Sequence, residues 1–327
     1  MTPVAEPGAI RVTVIGGGTG SFQVLSGLRG ESRLALTSIV TMADSGGDSG
    51  RLRDEFGLLP FGDLRRGLLA LSEESKLMRD LFGFRFTGEP LRGRNLGNLL
   101  FLALTKLLGS EKEALAAIAT ILKVRGSVLP VSWDDVHLCA ELADGQTIIK
   151  QVNIDRPKHD PSIAIRRVFL DPPASANPDA LDAIAASDFL VLAPGDLFTS
   201  TIPNLLVKGI PEALRASQAP LIYVVNLMTK LGETNGYSAS AHVQQIVQYG
   251  GRVPDAVLVH RGPMAEDLLR RYRAETAEVV VVDDERIASL GVRLIECADL
   301  MSSSSKARHD SRRTAAALLG IFGRRGR

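Results

Sequence analysis

Apolar residues along this chain gather in short runs, each closed by glycine or small polar residues. Ile10-Arg-Val-Thr-Val-Ile15 and Leu34-Ala-Leu-Thr-Ser-Ile-Val40 are the first two. Such runs suit strands buried on both faces of a parallel sheet. Residues 189–193, 221–225, 256–259, 279–282 and 292–295 repeat the pattern. Between them, apolar positions at helical spacing predict helices over 61–71, 95–108, 111–123, 179–186 and 240–249. Gly109 reads as a stop between two of these, and Ser240 as the cap of the last. Strand, loop and helix in alternation predict an α/β fold with a doubly wound, mostly parallel Rossmann-like sheet. Residues 127–170 break the alternation with four short strand-like runs and a hairpin signal at Ala143-Asp-Gly-Gln146. They read as a small β-rich insertion. The predicted organisation is a disordered lead-in over 1–9, one Rossmann-like domain over 10–311, and a basic C-terminal tail over 312–327, with a basic helix and solvated end read over His309 to Arg327.

The strand ends carry the candidate chemistry. The first run enters Gly16-Gly-Gly-Thr-Gly-Ser21, and the second enters Thr41-Met-Ala-Asp-Ser-Gly-Gly-Asp-Ser-Gly-Arg-Leu-Arg53. Ligands of open parallel sheets bind outside the strand carboxyl ends. Glycines there let backbone N–H groups approach phosphate, and a following helix N-terminus adds positive potential. Gly17, Gly18, Thr19, Gly20, Gly46, Gly47 and Ser49 are therefore candidate phosphate contacts. Asp44 is the candidate for Mg²⁺ or general-base work, with Arg51 as a neutralising cation. Asp63 stands at a helix start, where capping explains it equally well. Asn98 follows in Arg92-Gly-Arg-Asn-Leu-Gly-Asn98, and two later loops add Gly195, Thr199, Ser200 and Asn204, then Asn226, Thr229 and Glu233. The first glycine loop has Ser21 at the third fingerprint position and lacks the ribose-binding acid some 20 residues on, so NAD is not expected.

Composition narrows the class. Thirty-eight Lys and Arg face thirty-seven Asp and Glu in 327 residues, a formal net charge of +1 that gives no reason to invoke nucleic acid. No apolar run is long enough to span a bilayer, and the first nine residues lack the regions of a signal peptide, so the chain is expected in the cytoplasm. Cys139 and Cys297 read as buried, reduced thiols. The five histidines do not cluster with ligand spacing.

Six stretches in order resemble one family, the gluconeogenesis factors of the YvcK type, grouped with the 2-phospho-L-lactate transferases of deazaflavin coenzyme synthesis. They are Gly16-Gly-Gly-Thr-Gly20, residues 44–53, Gly62-Asp-Leu-Arg65, Leu96-Gly-Asn-Leu-Leu100, Pro194-Gly-Asp-Leu-Phe-Thr-Ser200 and Gly232-Glu-Thr-Asn-Gly-Tyr237. The resemblance implies a cytoplasmic binder of a UDP-sugar such as UDP-N-acetylglucosamine. It would control central carbon use, gluconeogenic growth and cell shape through a regulatory protein partner. It further implies that Tyr272 and Arg308 hold the nucleotide sugar, and that Ser311 falls where relatives carry a phosphorylatable residue. The transferase branch implies the alternative, an Mg²⁺-dependent phospholactyl-type transfer from a nucleotide diphosphate donor with Asp44 and Asp63 as catalytic carboxylates. Relatives often show two adjacent acids where this chain has Asp44-Ser45. A homo-oligomer is compatible with all of this.

Overall fold

The computed structural model describes residues 8–302 and 306–324. Most of the expected lead-in and the last three residues lie outside them. The strands are β1 (Ile10–Gly16), β2 (Leu34–Val40), β3 (Ser127–Pro130), β4 (His137–Leu142), β5 (Thr147–Ile149), β6 (Ile165–Asp171), β7 (Phe189–Leu192), β8 (Leu221–Val224), β9 (Ala256–His260) and β10 (Leu294–Ala298). Seven of them form a parallel sheet in the order β10-β9-β8-β7-β1-β2-β3. Its central strands are apolar on both faces because helices cover both, with Val12, Val14 and Ile15 of β1 fully buried. β1 pairs with β2 on one side, Gly16 opposite Val40, and with β7 on the other, Ile15 opposite Leu192. The chain winds outward from β1 in one direction and from β7 in the other. The order reverses between them, which opens a crevice at their carboxyl ends.

Three helices matter for that crevice: α1 (Gly18–Leu28), α2 (Gly47–Phe56) and α3 (Phe61–Leu71). A separate antiparallel sheet, β5-β4-β6, forms the insertion. The β insertion starts later than the sequence suggests. Ser127–Pro130 is the edge strand of the parallel sheet, Thr37 opposite Ser127, and Pro130 is tolerated there because an edge strand has no partner for the missing N–H.

Four local expectations are corrected. Residues 279–282 are not a sheet strand. Val280 donates its N–H to Leu227 O and Thr229 donates to Glu278 O, so the segment straps the loop after β8. Ser238, not Ser240, caps the helix Ala239–Gly250, while Ser240 Oγ bonds Asp283. Cys297 is exposed on β10, and only Cys139 is buried. The C-terminal helix Ser311–Gly323 is not a solvated tail: Thr314, Ala315, Leu318, Ile321 and Phe322 are buried, and Phe322 packs on Phe189 with ring centroids 4.4 Å apart. Its basic residues lie on the outer face of an amphipathic helix, and a charge count along the chain does not show the inner one. Among the described residues, no helix is long and apolar enough to cross a membrane.

Candidate functional site

A cleft of about 1050 Å³ lies over the reversal point between β1 and β7. Its floor is the first glycine loop. Gly20 begins the first turn of α1 directly against Pro194, where a methyl group would overlap the Pro194 carbonyl. A Cβ on Gly17 would stand 2.6 Å from Asp63 Oδ2. Glycine is required at both positions by close approach, as expected where a helix must start tight against a ligand loop.

Three helix N-termini converge here. The N-cap positions of α1, α2 and α3 are Gly17, Gly46 and Pro60, and none makes a side-chain cap. Asn95, Ser110 and Ser238 cap three other helices with their side chains. The first N–H groups of an uncapped helix need partners, and the helix dipole favours an anion there. Gly18, Thr19, Gly20, Gly47, Asp48 and Ser49 all line the cleft. This is a construction suited to phosphate.

Asp44 and Asp63 face each other across the same wall. Asp44 Oδ1 accepts the Gly46 N–H at 2.8 Å, and Asp63 Oδ1 accepts from Arg66 at 2.6 Å. Burial first, and the neighbouring Asp63 charge second, push the Asp44 carboxyl from 3.8 up to about 6. Asp63 does not cap α3, which settles the capping reading against it. Each carboxylate keeps its Oδ2 outside these hydrogen bonds, a donor pair of the kind Mg²⁺ takes together with phosphate oxygens. An Mg²⁺ ion bound here together with phosphate would be held by Asp44 and Asp63.

A second acidic group is different. Asp155, Asp196 and Glu233 each offer an oxygen, all within 4.8 Å of one another. The Lys230 ammonium pairs with all three, at 2.7 Å to Asp196 and 2.8 Å to Glu233. Burial pulls that ammonium down, but the charges of Glu233, Asp196 and Asp155 outweigh it and the net shift is upward. Lys230 therefore remains a fixed cation, one positive charge among three acidic side chains, and burial pushes the Glu233 carboxyl from 4.5 up to about 7.

The remaining candidates divide. Gly195, Thr199, Ser200, Asn226, Thr229, Asn98, Tyr272 and Arg308 line the cleft with the glycine loops. Asn226 Nδ2 donates to Gly195 O at 2.7 Å, joining the third and fourth loops. Tyr272 Oη accepts the Ala307 N–H at 3.0 Å and so anchors the segment that carries Arg308. Three candidates do not line the cleft. Arg51 is exposed on the outer face of α2 beside Gly93. Asn204 is fully buried, and its amide donates to the carbonyls of Ser200 and Thr201 to prop the turn Leu197–Thr201. Glu233 lies behind the wall, accepting from Phe198 N, Thr199 Oγ1 and Lys230. Polar type and loop position, which nominated all three, say nothing about which way a side chain turns.

The site also gathers residues outside the candidate set. Arg65, Arg66, Arg85, Lys230 and His309 line the cleft. His309 is held neutral, pushed down to about 4 chiefly by burial, with its Nε2–H donating to Val225 O at 3.2 Å. Asp48 is buried and accepts from Asn95 N and Asn98 Nδ2, both at 2.9 Å. Only the paired arginines of α3 had a visible signal, two adjacent cations on an otherwise apolar helix.

Residues 12–300 match the family of 2-phospho-L-lactate transferase CofD. The gluconeogenesis factor of Halalkalibacterium halodurans is 40% identical over 312 residues, covering 94% of this chain and 95% of that protein. That of Bacillus subtilis is 37% identical over 315 residues, 95% of this chain and 98% of its own. The crystal structure of a UPF0052 family member from Bacillus halodurans superposes with a TM-score of 0.90 at 39% identity, covering 95% of this chain and 99% of the other. Matched almost end to end in sequence and in fold, this chain belongs to the CofD/UPF0052 family, whose members include the gluconeogenesis factors.

Proposed function

We propose that this protein binds a nucleotide sugar of the UDP-N-acetylglucosamine type and acts as a cytoplasmic regulator of central carbon use, gluconeogenic growth and cell shape. The observation that carries the reading is the convergence of three uncapped helix N-termini on one cleft, with Tyr272 and Arg308 at its rim. The diphosphate sits against the N–H groups of Gly17 to Gly20 and Gly46 to Ser49. Tyr272 offers an aromatic face to the base, and Arg308 pairs with diphosphate oxygens. Because Tyr272 also holds the Ala307 N–H, occupation of the cleft biases the segment before the last helix. A protein partner that reads that segment then senses the ligand by population shift.

Calorimetric titration of the purified protein with UDP-N-acetylglucosamine, with GDP as comparator, tests the reading. Saturable UDP-sugar binding that is lost in Tyr272→Ala or Arg308→Ala supports it. Absence of binding to any UDP-sugar sinks it.

The Asp44–Asp63 pair favours a second reading, phospholactyl-type transfer from a nucleotide diphosphate donor. Mg²⁺ held by the two carboxylates would neutralise charge on the donor's diphosphate as its P–O–P bond breaks and the nucleoside monophosphate leaves with the electron pair. The glycine-loop N–H groups would hold the oxygens in place. Product formation that requires Mg²⁺ and disappears in Asp44→Ala supports this reading, while GDP binding that ignores Mg²⁺ counts against it.

A further inference from the structure

One wall of the cleft carries more cationic charge than the nucleotide reading uses. Arg65, Arg66 and Arg85 all line it on the α3 side. Arg66 is committed to Asp63, and Arg85 donates to the Gly93 carbonyl. Arg65 is only 7% exposed, yet makes no ion pair among the described residues. Among the described residues its side chain makes one hydrogen bond, from Nε to Asn98 Oδ1 at 3.1 Å. Asn98 is held in turn by Asp48, at 2.9 Å. The stem has a fitted path, since a Cβ on Gly97 would stand 2.7 Å from Arg65 Cδ. Asp48, Asn98 and Gly97 thus clamp the side chain by its Nε edge and leave the two terminal nitrogens to the cleft. A buried guanidinium that lines a cleft without an ion-pair partner suits an anion.

We propose that Arg65, with Arg85 and Arg66, forms a second anion subsite of the cleft that takes the phosphate of a small phosphorylated molecule alongside the nucleotide. The subsite adjoins the glycine loops that take the diphosphate and lies away from the end of the cleft that takes the base. α3 follows β2 and Tyr272 follows β9, four strand spacings away, or about 19 Å at the usual inter-strand distance. A cleft of about 1050 Å³ exceeds what one small ligand fills. The subsite goes beyond the nucleotide-sugar reading and does not require it.

The test titrates the full chain with inorganic phosphate and, separately, with glycerol 3-phosphate, each with and without saturating UDP-N-acetylglucosamine. Binding of either phosphate probe in the presence of the nucleotide sugar supports the subsite. Arg65→Gln and the exposed-site variant Arg85→Ala should each weaken that probe, the former by roughly 10- to 100-fold for loss of a charged hydrogen-bond pair, with UDP-sugar affinity unchanged. If Arg65→Gln fails to fold, Arg85→Ala alone carries the test. Strict competition between probe and UDP-sugar, equal weakening of both in the variants, or no phosphate binding at all overturns the proposal. Phosphate binding that depends on Arg65 in a protein without UDP-sugar affinity would leave the subsite standing and remove the nucleotide reading.

Discussion

At the scale of single residues, the cleft depends on what is absent as much as on what is present. Gly20 has no side chain because the Pro194 carbonyl occupies that space. Gly20→Ala should lower stability by about 3 kcal/mol, the upper range for overpacking, and weaken ligand binding; thermal melts and titration check both. Asp44 shows the opposite economy, a destabilising group retained in place. Its pKa is raised in the fold, from 3.8 to about 6, so folding binds a proton between those values. The stabilising effect of that proton is complete below about pH 3.8 and is lost as pH rises through about 6. At pH 7.5 the ionised carboxylate therefore works against the fold. Asp44→Asn should be more stable than the parent by about 1–3 kcal/mol there, with the gain vanishing near pH 4 and Mg²⁺-dependent binding abolished. Equal melting temperatures at pH 7.5 would show that the carboxylate is better solvated than its position indicates.

Elements meet at the cleft through a few polar ties. Lys230 joins the fourth loop to Asp196 of the third and to Asp155 at the end of the short helix Gln151–Asp155 of the insertion. Lys230→Ala should cost about 3 kcal/mol, because it leaves carboxylates packed together without their counter-charge. Limited proteolysis should then cut the insertion first, and a uniformly resistant chain would show that the insertion is held by packing alone. Tyr272→Phe is a gentler probe of the same scale. It removes only the acceptor of the Ala307 N–H, so stability should fall by about 1 kcal/mol while UDP-sugar affinity drops through the loosened Arg308 segment. Unchanged affinity would separate Tyr272 Oη from the positioning of Arg308.

For the whole molecule, the closing helix Ser311–Gly323 is the largest departure from what the sequence suggested. It lies against α1, and a Cβ on Gly27 of α1 would meet Ala315 at 2.9 Å. Its buried Leu318, Ile321 and Phe322 are together worth about 5–9 kcal/mol, comparable with the net stability of a domain. A chain truncated after Asp310 should therefore fail to give a cooperative melt by circular dichroism. A folded truncation would return the helix to the status of an appendage. The same packing places Ser311 at the first turn of a helix whose neighbour α1 starts in the cleft. A phosphate there would add charge at a helix N-terminus capped by Asp310, which intact mass after kinase treatment would detect.

The sequence by itself determined the strands at 10–15, 34–40 and 189–193, the glycine loops between strand and helix, and hence a parallel sheet with a polar crevice. Those features are local: a doubly buried strand must be apolar throughout, and a helix starting tight against another backbone must lose its side chains. Tertiary structure decided direction and company. It sent Arg51 outward and Arg65 inward from two helices that both open on the cleft, and put Glu233 behind the wall that Thr199 lines. It moved Ser127–Pro130 to the main sheet, because pairing with β2 is set by a partner some 90 residues away and not by the run itself. It also brought Asp63 to Asp44, and gathered three acids from separate loops around Lys230. Such encounters depend on how distant segments pack, and the pattern along a chain carries no term for that.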